Sequence, residues 1–184
     1  MRVIAGSARG TVLKTIEGMA TRPTVDRVKE ALFSSIQFNI RDAHCLDAFA
    51  GSGALGIEAL SRGASHVVFV DAALACHKVI VDNLLKTRFT ERSTLMKGDI
   101  LEVIKRYNGS PFDLVFLDPP YGKGMCKVVM EALIAKNLLS GGAMILVEHD
   151  HSEVLDDHYG VVHKSASKKY GNTYITKYEV RECL

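Results

Sequence analysis

Asp47-Ala48-Phe49-Ala50-Gly51-Ser52-Gly53-Ala54-Leu55-Gly56 decides how the chain folds, because an apolar run ends in it and a helical pattern begins. His44 to Phe49 reads as a strand, and Ala54 to Arg62 reads as a helix stopped by Gly63. The glycines between them let the backbone turn sharply and approach a ligand closely. The free amides of the following helix then point into the crevice at the carboxyl ends of a parallel sheet.

Further along, apolar runs alternate with helical spacing. His66–Val70, Ser93–Lys97, Phe112–Leu117 and the fully apolar Ala143–Val147 read as strands two to five. Helices are predicted from Ala73 to about Lys86, Ile100 to Tyr107 and Met125 to about Leu138, the last leading through Ser140-Gly141-Gly142 into the fifth strand. The pattern then changes. Val161–Lys169 and Thr173–Val180 are both strand-like and are joined by the turn pair Gly171-Asn172, which leaves no room for a crossover helix. The reading is an α/β fold whose mostly parallel seven-stranded sheet closes with an antiparallel hairpin. Upstream, Thr24 caps a predicted helix over 24–38 with apolar positions Val25, Val28, Leu32 and Ile36, and residues 1–20 read as a short arm or hairpin.

With 184 residues, 47% hydrophobic and 24% charged, one globular domain over 1–184 is expected, and a second would not fit. No apolar stretch approaches the roughly 20 residues of a bilayer span, and Met1-Arg2-Val3-Ile4-Ala5-Gly6-Ser7 lacks a secretory apolar block, so a cytoplasmic protein away from membranes is expected. Cys45, Cys76, Cys126 and Cys183 lie far apart and read as reduced structural residues. Residues 1–41 carry seven basic and three acidic side chains, a net +4 within a whole of +2, so a basic arm precedes a body of −2. Such asymmetry suits phosphate contacts, and equally a solvated face.

Gly51, Gly53 and Gly56 have the spacing of a dinucleotide loop, and Asp71, twenty residues after Gly51, would hold ribose hydroxyls for either kind of cofactor. Asp47 separates the two. A carboxylate just before the loop repels a pyrophosphate but accepts from the ammonium of a methionine moiety. The closing hairpin likewise resembles the Rossmann-like class I methyltransferase fold, which makes S-adenosylmethionine the expected cofactor. Asp47, Phe49, Ala50, Gly51, Gly53 and Asp71 would contact it, with Asp99 accepting from the adenine amine and Ile100 packing on the ring; Asp99 also fits a helix N-cap.

After the fourth strand comes Asp118-Pro119-Pro120-Tyr121, on the same rim of the sheet. Two prolines fix the backbone and remove two amide donors, which leaves carbonyls and a carboxylate around a small space. That suits an exocyclic amine of a base. Asp118 and the Pro119 carbonyl would hold its protons and orient the lone pair, Pro120 would line the substrate space, and Tyr121 would stack on a base taken out of its helix.

Three blocks carry a family likeness: Arg22-Pro23-Thr24-Val25-Asp26-Arg27-Val28-Lys29-Glu30-Ala31-Leu32-Phe33, then Phe49 through Gly63-Ala64, then Asp118-Pro119-Pro120-Tyr121. Together with Lys169-Tyr170-Gly171-Asn172-Thr173 they resemble the bacterial 16S ribosomal RNA guanine-N2 methyltransferase family over nearly the whole chain. The resemblance implies methylation of one guanine N2 of small-subunit RNA in an assembly particle with ribosomal proteins, with Arg22 as an RNA contact; the sequence leaves the oligomeric state undetermined, with a monomer favoured. Ala48 stands where the family usually has a larger apolar residue, and Ser7 and Thr11 occupy arm positions that are often basic.

Three other readings compete. Adenine N6 in DNA would use the same Asp-Pro-Pro-Tyr chemistry, although the chain exceeds a catalytic domain only by a short arm. A nicotinamide oxidoreductase and a non-catalytic RNA-binding module are the alternatives of another class. His149, His151, His158 and His163 gather after the fifth strand without an acidic or cysteine set to complete a metal site, so no metal is expected. Arg22, Arg27 and Lys29 read as RNA contacts or a solvated helix face.

Overall fold

In a computed structural model, residues 1–16, 23–120, 122 and 124–181 are described, with the backbone alone for 23–25. The elements are α1 (Pro23–Ser35), β1 (His44–Asp47), α2 (Ala54–Ser61), β2 (His66–Asp71), α3 (Leu74–Thr87), β3 (Ser93–Lys97), α4 (Ile100–Arg106), β4 (Phe112–Leu117), α5 (Met125–Ala135), β5 (Leu139–Asp150), β6 (His158–Tyr159), β7 (Val162–Tyr170) and β8 (Thr173–Val180). They build one sheet in the order β3-β2-β1-β4-β5-β8-β7-β6. Its first five strands run parallel, and β8 enters antiparallel between β5 and β7. Strand order reverses between β1 and β4, and a parallel sheet leaves a crevice outside the carboxyl ends of its strands at such a point.

Side-chain alternation divides the core into two layers. Cys45, Phe69, Leu114, Phe116 and Leu146 face one side, under Phe33 of α1, Ile36 just past its end, Ile57 and Leu60 of α2 and Ile80 of α3. Leu46, Val68, Val115, Leu117 and Val147 face the other, against Val103 and Ile104 of α4 and Val129, Met130 and Leu133 of α5.

Four differences from the sequence reading have local causes. The sheet has eight strands, because the two-residue β6 pairs His158 with His163 and Tyr159 with Val162, a bridge too short to leave a periodic signature. β5 begins at Leu139 rather than Ala143: Leu139 pairs with Phe112 and Met144 with Leu114, so the glycine-rich segment bulges inside the strand instead of ending before it. α1 ends at Ser35 rather than 38, where the Ser35 hydroxyl donates back to the Leu32 carbonyl at 2.7 Å and Phe38 stands 91% exposed. α5 ends at Ala135, and Asn137 follows at φ +52°. The Thr24 cap and Val25 involve side chains outside the described residues.

The arm is a turn-closed loop pinned to the body. Arg2 bridges Val12, and Val3 and Leu13 are buried in the first core layer. Glu58 of α2, 0% exposed, accepts from the amides of Ile4 (2.8 Å) and Ala5 (3.0 Å), and it pairs with Lys29 (3.2 Å) and Arg62 (2.8 Å). At Gly6, φ is +82° and a Cβ would lie 1.8 Å from the Ser61 carbonyl oxygen, so only glycine lets the arm close on α2. No helix of the described residues is long and apolar enough to cross a membrane.

Candidate active site

Asp47 ends β1 and is 2% exposed. Its Oδ2 accepts from the Gly56 amide at 2.9 Å, which braces the loop against the strand it leaves. Gly51 and Gly53 take φ of +53° and +78°, values that other residues adopt at a cost. Gly56 is needed for space: a Cβ there would stand 2.3 Å from Cε1 of buried Phe69, so glycine sets how closely α2 approaches β2. Asp71 accepts from the Gly51 amide (2.9 Å) through Oδ2 and from the Ala73 amide (2.8 Å) through Oδ1, and the Ala50 amide donates to the Val70 carbonyl at 2.9 Å. The loop therefore hangs between two carboxylates, each of which has lone pairs beyond those the loop amides use.

The two residues expected at the adenine stand at the start of α4. Asp99 is the N-cap of α4 and accepts from the Leu101 amide at 2.9 Å. Ile100 is 3% exposed within the second core layer and has little surface left for a ring. Phe49 is half-buried against the same layer beside the loop.

Asp118 and the buried Pro119 follow directly on β4, with Pro120 exposed beyond them. Arg22 and Tyr121 lie outside the described residues. Register links this corner to the loop. Asp47 is opposite both Phe69 of β2 and Phe116 of β4, so Asp71 and Asp118 each stand two residues further along, on the same face. Glu148 joins them: Leu117 pairs with Val147, which puts Asp118 and Glu148 level on neighbouring strands. The rim thus carries Asp71, Asp47, Asp118 and Glu148 on four adjacent strands. Sequence reading missed Glu148 because it ends an apolar run of a buried strand without any motif; the parallel register was the signal that would have found it.

Crowding of like charges in a dry site raises carboxyl pKa values. Asp47 is pushed up to about 7 by burial, against the Gly56 hydrogen bond and with help from Asp118 and Asp71. Asp118 is exposed at the mouth, yet protein atoms around its carboxyl displace water and push it up to about 6. Glu148 is pushed up to about 8, by burial first and then by the Asp118 charge. A rim of this kind is suited to cations and N–H donors.

The basic arm contributes less than its charge suggested. Lys29 is 3% exposed, donates to the Arg2 carbonyl at 2.6 Å and pairs with Glu58, so it is neither an RNA contact nor a solvated residue. Lys14 pairs with Asp82 at 2.6 Å, whereas Arg27 is exposed. The histidines do not converge. His149 bonds Thr176 (2.8 Å) and the Asp150 carbonyl (2.9 Å), His158 stacks on His163, and among the described residues no group of three His, Cys, Asp or Glu side chains is arranged to hold a metal. Cys45, Cys76 and Cys126 are free and buried.

Residues 1–179 match the family described as conserved hypothetical protein 95. A Bacillus subtilis protein named "Putative rRNA methyltransferase YlbH" is 36% identical, covering 98% of this chain and all of the relative. Ribosomal RNA small subunit methyltransferase D of Haemophilus influenzae is 37% identical over 84% of this chain and 81% of its own. Among solved structures, an Escherichia coli protein described as a "Putative methyltransferase" superposes with a TM-score of 0.88 at 30% identity, covering 98% of both chains.

Proposed function

Because the chain belongs to the conserved hypothetical protein 95 family and is related over most of its length to small-subunit rRNA methyltransferase D, we propose that it methylates the exocyclic N2 amine of a guanine in 16S ribosomal RNA, using S-adenosylmethionine. The observation that carries this reading is the junction of the braced glycine loop with the acceptor-lined Asp118-Pro119 corner on one rim. Residues 1–184 act as one methyltransferase domain in the cytoplasm, as a monomer on a small-subunit assembly particle.

The residues present fit the cofactor. Gly51 and Gly53 let the backbone come close, and the carboxylates of Asp47 and Asp71 flank the loop with acceptors for the ammonium and ribose hydroxyls. Ala50 and Phe49 wall the crevice, while Asp99 and Ile100 stand at the adenine end and contribute mainly through the edge of α4. When bound, S-adenosylmethionine supplies a methyl group activated by a positive sulfur. The chain's own work is positioning. Asp118 and the Pro119 carbonyl accept the two N–H groups of the amine, whose lone pair is otherwise delocalised into the ring, and aim that lone pair at the crevice. Asp118 receives the proton that the alkylated nitrogen gives up. Tyr121 stacks on the extruded base, Pro120 borders it, and Arg22 contacts its backbone.

The direct test incubates the protein with methyl-labelled S-adenosylmethionine and either naked 16S RNA or small-subunit particles from a strain lacking the enzyme, and then maps the labelled base. Label on a single guanine N2 is expected, with particles the better substrate. Label on adenine alone, or tight NADH binding without methyl transfer, would overturn the reading.

A further inference from the structure

Glu148 stands at the reacting corner without a role in the chemistry above. Phe116 and Leu146 face the first core layer and Leu117 and Val147 the second, so alternation returns Asp118 and Glu148 to one face, one residue further out. Parallel neighbours lie about 4.8 Å apart, and glutamate is one methylene longer than aspartate, so its carboxyl reaches further over the rim. β5 continues through Asp150 and Glu148 pairs across with Ile175 of β8, which fixes its backbone within the sheet rather than in a loop. Among the described residues the Glu148 carboxyl makes no hydrogen bond or ion pair, whereas those of Asp47 and Asp71 both brace the loop.

We propose that Glu148 reads the base: it accepts the N1–H of guanine while Asp118, beside it, accepts from N2. This rests on the function proposed above and adds to it the source of base selectivity. Guanine presents two adjacent donors on its Watson–Crick edge, N1–H and N2–H. Adenine presents one donor group, at N6, next to the bare lone pair of N1. Two level acceptors match the first pattern and set lone pair against lone pair in the second, so the same pair that attracts guanine rejects adenine. The Asp-Pro-Pro-Tyr corner alone serves any exocyclic amine; its strand neighbour supplies the choice. Burial and the Asp118 charge push the Glu148 carboxyl up in the free site, and a donor N–H from the base would offset that push by favouring its ionised form.

The test uses the full-length protein and small-subunit RNA carrying either guanine or 2-aminopurine at the methylated position. 2-Aminopurine keeps the exocyclic amine but has a lone pair at N1. Wild-type protein on guanine comes first: label on N2 upholds the proposed function, while label on adenine or on nothing overturns both that function and this assignment. Once N2 labelling is in hand, Glu148→Ala is expected to lower kcat/KM on guanine by about 10- to 100-fold while leaving 2-aminopurine nearly unchanged, so that the preference for guanine shrinks by the same factor. Equal losses on both bases, or no loss on guanine, overturn the role of Glu148. Glu148→Gln guards against misfolding, being isosteric. Its amide can donate to the N1 lone pair, so it is expected to raise activity on 2-aminopurine relative to guanine, and an unchanged ratio counts against the proposal. Affinity for S-adenosylhomocysteine, measured by calorimetry, is expected to stay at the wild-type value in both variants; a loss there would move Glu148 to the cofactor side and overturn the assignment.

Discussion

Asp47 and Asp118 are offset by two residues on neighbouring strands, yet their environments give them different work. Asp118 must be ionised to accept from the amine and take its proton, and its carboxyl is held near 6, so kcat/KM is expected to rise with pH through about 6 and level off above it. Asp118→Asn should abolish that rise and lower kcat by about 10²- to 10⁴-fold with cofactor affinity retained; equal loss of cofactor affinity would place Asp118 in the wrong site. Asp47 shows the opposite balance. Its folded pKa, about 7, lies above the unfolded value, so the empty protein binds an extra proton in between and loses stability as pH rises from about 4 to about 7. Asp47→Asn keeps an oxygen for the Gly56 amide and removes the buried charge. It is expected to raise the thermal midpoint of the ligand-free protein above pH 7, with the gain fading toward pH 4, and to weaken cofactor binding. A variant that is less stable at high pH would show that the carboxylate is already compensated.

At the level of elements, close approach and anchoring replace chemistry. Gly56→Ala would press a methyl group into Phe69, and α2 must then retreat from β2; a loss of about 1–3 kcal/mol is expected in urea unfolding, with the loop displaced and the cofactor bound more weakly. Glu58→Ala should cost more, about 3–5 kcal/mol, because it leaves Lys29 buried beside two unsatisfied arm amides. An exposed Glu58 would show no such penalty. Periodicity made β1 to β4, β7, β8 and the helices legible, since each carries a long apolar pattern between turn residues. What escaped was of another kind. β6 is a two-residue bridge created only when β7 arrives, and the bulge in β5 comes from its pairing with β4 rather than from its own letters. Lys29 looked like a member of a solvated basic face because its partner is distant in sequence, on α2.

Across the whole molecule, the topology gathers Asp71, Asp47, Asp118 and Glu148, contributed by β2, β1, β4 and β5, onto one rim. Three of these were legible as motif residues, while their mutual repulsion was not, because it depends on strand order. That repulsion predicts how the empty site meets a cation. Near neutral pH, Asp47 holds a proton for part of the time, and a ligand with a positive sulfur and an ammonium favours its ionised form, so binding must expel protons. Affinity for S-adenosylmethionine is therefore expected to rise with pH below about 7, by up to about tenfold per pH unit for each proton released. S-Adenosylhomocysteine, whose sulfur is neutral, should release fewer. Titration calorimetry in two buffers of different ionisation enthalpy counts the protons directly. Asp47→Asn should reduce the count, whereas Arg27→Ala, on the exposed face of α1, should not. Uptake of protons, or none exchanged by either ligand, would mean that the rim carboxylates are ionised before the ligand arrives and that another group supplies the compensating charge.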